Sequence, residues 1–326
     1  MRFNYSHVVR IATLASRKSW SPRKLLLPLR AVPKGTTVTI GLFSLFSTPI
    51  GKQEEILEEM VKRGILEYQK GDAIKAEKLL HVALKTAQDL HDKNGITFIY
   101  DLMANIAFDT HNYRKAEKIF RDLIGRLIGD GVDPDHNKIV HVSAKLASIY
   151  GMLEENEKAE QGFQFCIDTM NKKIAKGASD EDTLLLTGLC LDWYARYLMG
   201  HMKLDEASAN FQKAFELCSK VHGLQHDQSL VLLNDMASVL ALKGNAAAAE
   251  EKMKDVISIG EKIQSEHMPA FYVNLGSIYM QNKSYEKSRD ACAKGVNLAK
   301  KMDNKEYIEE AETCLEELRK AMRLTH

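Results

Sequence analysis

One spacing recurs six times along this chain and constrains its fold more than any other feature. A small residue is followed after twelve positions by Ala or Ser, after four more by a bulky side chain, and after a further three by a smaller or medium one. The sets are Gly64, Ala76, Leu80, Ala83; then Ala104, Ala116, Phe120, Leu123; then Ala147, Ala159, Phe163, Cys166. They continue with Ala195, Ala207, Phe211, Ala214; then Ala237, Ala249, Met253, Val256; and finally Gly276, Ser288, Cys292, Gly295. Two antiparallel helices approach closely only where the facing side chains are small, and the bulky residue fills the groove beside that contact.

Turn signals fall between the two small residues of a set. Gly71-Asp72, His111-Asn112, Glu155-Asn156, Gly244-Asn245 and Asn282-Lys283 each interrupt a helical pattern where a tight turn is required. From residue 51 onward apolar residues recur at three and four with no sustained alternation, so the region reads as helix after helix. The expected fold is all-α, a right-handed α-solenoid of about six helix pairs over residues 53–302. Residues 303–326 then supply a capping helix and tail. Lys305 to Arg323 forms that amphipathic helix, with Tyr307, Ile308, Ala311, Cys314, Leu315 and Leu318 on one side, because an uncapped stack leaves its last apolar face in water.

This pattern resembles the tetratricopeptide repeat family, most clearly where Leu146-Ala147-Ser148-Ile149-Tyr150 is followed by Glu157-Lys158-Ala159-Glu160 and Phe163. The second-helix small residues lie 40, 43, 48, 42 and 39 apart, against about 34 in the standard repeat, so helices and linkers are longer here. Val221-His222-Gly223-Leu224-Gln225-His226 resembles the longer repeats of kinesin light chains, and the family's Trp-Leu-Gly start is nowhere complete.

Charge divides the chain. Nine of its 45 Lys and Arg precede the first acidic residue, Glu54, leaving 36 against 44 acidic residues beyond that point, a formal charge of about −8. An acidic body without a basic stripe argues against nucleic acid as a ligand. The acid-free start, with Arg2, Arg10, Arg17 and Lys18 among Val8, Val9, Ile11, Leu14 and Ala15, has the composition of a mitochondrial presequence over residues 1–35. Residues 36–52 hold a charge-free stretch, Thr36 to Ile50, short of the roughly 20 residues that a spanning helix needs. Inner-membrane association through residues 36–50 and a linker removed after import are both open readings. Cys166, Cys190, Cys218, Cys292 and Cys314, widely spaced and without a Cys-x-x-Cys pair, read as reduced core thiols.

No phosphate loop, Gly-x-Ser-x-Gly elbow or His-Glu-x-x-His is present, so neither catalysis nor a cofactor is expected. His222 and His226 have a metal-compatible spacing but no recognisable third ligand, and no metal is expected. Trp193, Tyr194 and Tyr197 read as core before interface. The candidate working surface comes from geometry, since residues one turn apart on the first helix of each pair line the concave face of a solenoid. In this register the partner-binding candidates are Asp101, Asn105, Ser148, Asp192, Arg196, Asn234, Ser238 and Ser277, with Ala144 and Val273 between them.

Tyr100-Asp101-Leu102-Met103-Ala104-Asn105-Ile106-Ala107-Phe108 and Cys190-Leu191-Asp192-Trp193-Tyr194-Ala195-Arg196-Tyr197-Leu198, with Lys145 to Tyr150, look like a mitochondrial branch of the tetratricopeptide proteins over residues 54–322. That resemblance implies a non-enzymatic inner-membrane protein facing the matrix and bound to respiratory complex III. There the branch supports assembly and maintenance of the complex and clearance of processed Rieske iron-sulfur subunit fragments. The alternatives are a kinesin-light-chain-like cargo adaptor and a chaperone-type peptide clamp. Oligomeric state is left open.

Overall fold

The computed structural model describes residues 52–323. The expected presequence, and all but the last residue of the expected apolar segment, lie outside the described residues. Thirteen helices and no strand occur among the described residues: α1 (Lys52–Gln69), α2 (Ala73–Asp89), α3 (Lys93–Asp109), α4 (Tyr113–Gly129), α5 (Asn137–Met152), α6 (Asn156–Ala175), α7 (Glu181–Gly200), α8 (Leu204–His222), α9 (Asp227–Leu242), α10 (Ala246–Ile263), α11 (Met268–Gln281), α12 (Tyr285–Lys301) and α13 (Lys305–Arg323). They form two compact units, whose described parts are residues 52–169 and 170–323, divided within α6.

Within each unit the repeated register is the packing plan. Ala76, Ala116, Ala159, Ala207, Ala249 and Ser288 are all fully buried, and so are the bulky residues Leu80, Phe120, Phe163, Phe211, Met253 and Cys292. Complete burial of a large aliphatic or aromatic side chain is worth about 1.5–3 kcal/mol, so this column supplies much of the cohesion inside each pair. The small residues set how closely the helices approach. A Cβ on Gly64 would lie 3.0 Å from Leu80 Cδ2, and one on Gly276 would lie 2.5 Å from Cys292 Sγ. In the last pair Ser288 Oγ also donates to the Gly276 carbonyl at 2.8 Å.

The turns follow one pattern. The residue after each first helix's C-cap takes a left-handed conformation: Gly71, His111, Glu154, Met202, Gly244 and Lys283 all have positive φ. Bonds such as Asn112 N to Ala107 O, at 2.8 Å, then satisfy the terminal carbonyls. Asp72, Asn112 and Asn245 cap the helices that follow, accepting from Lys75 N, Lys115 N and Ala248 N. His111, Glu154 and Lys283 take this conformation within two residues of Asn112, Asn156 and Asn282, whereas Met202, between His201 and Lys203 in the α7–α8 turn, has no Asn so near and so no sequence signature.

In unit 2, α11 is buried at every residue from Met268 to Met280, enclosed rather than amphipathic. The terminal helix α13 lies where the capping helix is expected and buries Tyr307, Ala311, Cys314 and Leu318. It also corrects one expectation: Cys292 and Cys314 are joined by a disulfide, with Cα atoms 5.9 Å apart. Their separation of 22 residues carries no motif, and only the antiparallel packing of α12 against α13 brings the sulfurs together. Cys166, Cys190 and Cys218 are buried and lie outside the disulfide, as a core reading requires.

Candidate functional site

The side chains proposed to line the first-helix face lie three residues before, or one residue after, the small residue of each set. The structure places them at those positions but commits them to internal partners, Asp101, Asn105, Arg196 and Asn234 to the next pair and Ser148, Asp192, Ser238 and Ser277 to their own helix. In unit 1, Asp101 and Asn105 sit half-buried on α3. Asn105 Nδ2 donates to the Asp101 carbonyl at 2.7 Å and to its carboxylate at 3.0 Å. Lys145, on α5, reaches back to donate to Asn105 Oδ1 at 2.9 Å and to Asp101 Oδ1 at 3.2 Å. Its ammonium also lies 5.4 Å from the Phe120 ring centroid. Ser148 is buried, its hydroxyl donating to the Ala144 carbonyl at 3.2 Å.

At the end of α3, Asp109 accepts a hydrogen bond from Tyr68 of α1. Burial pushes this carboxyl up to about 6, against the opposing effects of the Tyr68 hydroxyl and the Lys145 charge.

In unit 2 the same positions hold a longer relay. Arg196 on α7 forms an ion pair with Asp192, its Nε 3.1 Å from Oδ1, and donates through Nη2 to Asp235 on α9. Asn234 Nδ2 donates to Asp235 Oδ1 at 3.2 Å, and Asn274 Nδ2 on α11 donates to Asn234 Oδ1 at 2.6 Å. Burial drives the Asp235 carboxyl far above its ordinary range; the Arg196 guanidinium opposes that rise and the Asp192 charge adds to it. Ser238 and Ser277 bond to carbonyls one turn back, Asn234 O at 3.0 Å and Val273 O at 3.2 Å. Asp192, Asn234, Asp235, Ser238, Asn274 and Ser277 are all buried, while the Arg196 side chain keeps 12% exposure.

Sequence reasoning missed Lys145, Asp235 and Asn274, although all three stand two residues before the small residue of their sets. That column faces the polar pair of the preceding repeat. Its signal is legible as a charged or amide residue recurring where an apolar one would pack. Trp193 occupies the same column and is buried; with buried Tyr197 and half-buried Tyr194 it confirms the core reading of that aromatic cluster. The rings of His222 and His226 stack with centroids 4.2 Å apart. Among the described residues there is no group of three side chains able to hold a metal ion, and no helix long and apolar enough to cross a membrane.

A tetratricopeptide repeat sequence profile matches residues 189–262. Among solved structures, the fold is similar to BtubC of P. vanneervenii, at a TM-score of 0.56 and 15% identity over 76% of this chain and 92% of that one. It is also similar to yeast Tom70, at 0.54 and 17% over 81% of this chain and 47% of that one. At those identities the likeness concerns the fold alone. Sequence similarity extends further. The chain is 33% identical over 282 residues to the Drosophila melanogaster tetratricopeptide repeat protein 19 homolog, mitochondrial, covering 86% of this chain and 76% of that one. It is 31% identical over 281 residues to the Homo sapiens tetratricopeptide repeat protein 19, mitochondrial, covering 83% and 74%. With two thirds of each relative's length spanned at this level, the chain belongs to the mitochondrial tetratricopeptide repeat protein 19 family.

Proposed function

We propose that this chain is a non-catalytic mitochondrial scaffold that binds respiratory complex III and supports its assembly and maintenance by promoting clearance of processed Rieske iron-sulfur subunit fragments. Family membership carries this reading: the relatives named above share 31–33% identity over most of the folded region and carry mitochondrial names. A tetratricopeptide fold is a protein-binding scaffold, and the acidic body and acid-free basic start agree with an imported protein whose ligand is another protein.

On this reading residues 1–35 are the presequence, residues 36–52 hold the chain at the matrix face of the inner membrane, and residues 53–302 with the cap at 303–326 are the working part. The first-helix face is the partner-binding surface, through the half-buried Asp101 and Asn105 in unit 1 and Arg196 in unit 2, while the buried Ser148, Asp192, Asn234, Ser238 and Ser277 hold that face together from behind. Affinity purification of the tagged chain from isolated mitochondria should recover complex III subunits, the Rieske protein included. Asp101→Ser with Asn105→Ser, both at half-buried positions, should remove them while far-UV circular dichroism stays unchanged. Recovery of cytosolic motor or chaperone proteins instead would overturn the proposal.

A further inference from the structure

Helix α13 is the last helix among the described residues. One stripe anchors it: Tyr307, Ala311, Cys314 and Leu318 are buried, while Glu309, Glu312, Glu316, Arg319 and Lys320 face water. Its non-covalent attachments include the packing of Tyr307 against Ala270 and Ala299 and a Lys300–Glu312 ion pair at 3.4 Å. Tyr307 Oη and His267 Nδ1 lie 2.9 Å apart, and Val273, Val296 and Ala311 form a small apolar cluster around the bridge. Gly276 of α11 lies against both sulfurs; a Cβ there would stand 2.5 Å from Cys292 Sγ and 3.2 Å from Cys314 Sγ. The bond between α12 and α13 is the one covalent restraint on the last helix among the described residues, and it joins the cap to the pair that it covers.

We propose that the Cys292–Cys314 bridge is a redox latch on α13, closed by exchange with glutathione disulfide and opened by thiols, whose state sets how firmly the terminal helix is held. Both sulfurs are buried, so exchange requires α13 to lift first, and the latch responds to local opening of this helix rather than to unfolding of the unit. Closure begins at Cys314, which travels with the lifted helix. Its thiolate attacks one sulfur of glutathione disulfide, forming a mixed disulfide and expelling a glutathione thiolate, which takes up the proton that Cys314 released. The Cys292 thiolate then attacks the Cys314 sulfur and expels the second glutathione thiolate, which is protonated in turn. Two protein thiols are oxidised and one glutathione disulfide is reduced to two thiols. With the latch open, fraying of α13 uncovers Val273 and Val296 on the face beneath it.

Hydrogen–deuterium exchange of the full chain, oxidised and reduced with a phosphine, tests this without altering the sequence. Reduction should speed exchange in peptides from residues 305–323 by about tenfold or more, the lower end of what a bridge of this loop length restrains, and leave peptides from residues 93–129 unchanged. Cys314→Ser should exchange at the reduced rate with or without the phosphine. Equal exchange of α13 in both redox states would overturn the latch. So would alkylation of all five cysteines, instead of Cys166, Cys190 and Cys218 alone, after equilibration at every glutathione ratio and denaturation.

Discussion

Lys145 lies one repeat beyond Asp101 and reaches back to it, placing its ammonium 3.2 Å from one carboxylate oxygen and 2.9 Å from the neighbouring Asn105 amide oxygen. The contact ties α5 to α3 through charge, and its two ends differ in exposure: the Lys145 side chain keeps 7% and the Asp101 side chain 33%. Water therefore takes over Asp101 when the lysine is lost. Lys145→Met, which preserves the stem over Phe120, should cost only about 1 kcal/mol, while Lys145→Ala should cost about 2–3 kcal/mol through lost packing. Urea unfolding of the two variants separates these costs.

Arg196 stands in a different balance. It is the guanidinium that meets Asp235, which is fully buried. Arg196→Met should destabilise unit 2 by about 3–5 kcal/mol, because it leaves that carboxylate without its cation. Arg196→Met combined with Asp235→Leu should cost less than the single change. A double variant as unstable as the two losses added would show that the pair is not coupled.

Glycines separate two opposing effects. Gly125 on α4 has nothing within 4 Å of where a Cβ would stand, so Gly125→Ala should gain roughly 0.5–1 kcal/mol from helix propensity. Gly276→Ala gains the same propensity but drives a methyl to 2.5 Å from Cys292 Sγ and 3.3 Å from its backbone nitrogen. The net loss should be about 1–3 kcal/mol, read as a lower thermal midpoint.

Asp109 makes stability depend on pH with a definite sign. Its folded value, about 6, is raised above the unfolded 3.8, so the folded chain holds this proton more tightly. Its contribution is fully present below pH 3.8 and is lost as pH rises through 6. Relative to Asp109→Asn, the wild-type chain should lose stability between pH 4 and pH 7, measured by urea midpoints across that range. A constant difference between the two proteins would show that the carboxyl is not perturbed.

The helix pairs were legible in the sequence because close helix approach demands small residues at fixed intervals, and that demand is local and repeated. Ala76, Ala116, Ala159, Ala207, Ala249 and Ser288 are all buried where the spacing requires, and α13 occupies the cap. The α7–α8 turn was not legible, because neither Met202 at its left-handed position nor the flanking His201 and Lys203 is a Gly, Asn or Asp.

Long-range pairing was hidden for a related reason. Periodicity shows which face of a helix a residue occupies but not which neighbour it meets. The polar column on the first helices could be named from the sequence; its partners Lys145, Asp235 and Asn274, about 40 residues further along, became visible only when consecutive pairs were stacked. Cys292 and Cys314 show the same limit, since nothing in a separation of 22 residues indicates that two antiparallel helices bring their Cα atoms to 5.9 Å. The sequence by itself determined the helices, their pairing order and the face that carries polar residues, because these follow from spacing along one chain. Only the tertiary structure decided which polar groups neutralise one another and which thiols join, because both depend on distances across the stack.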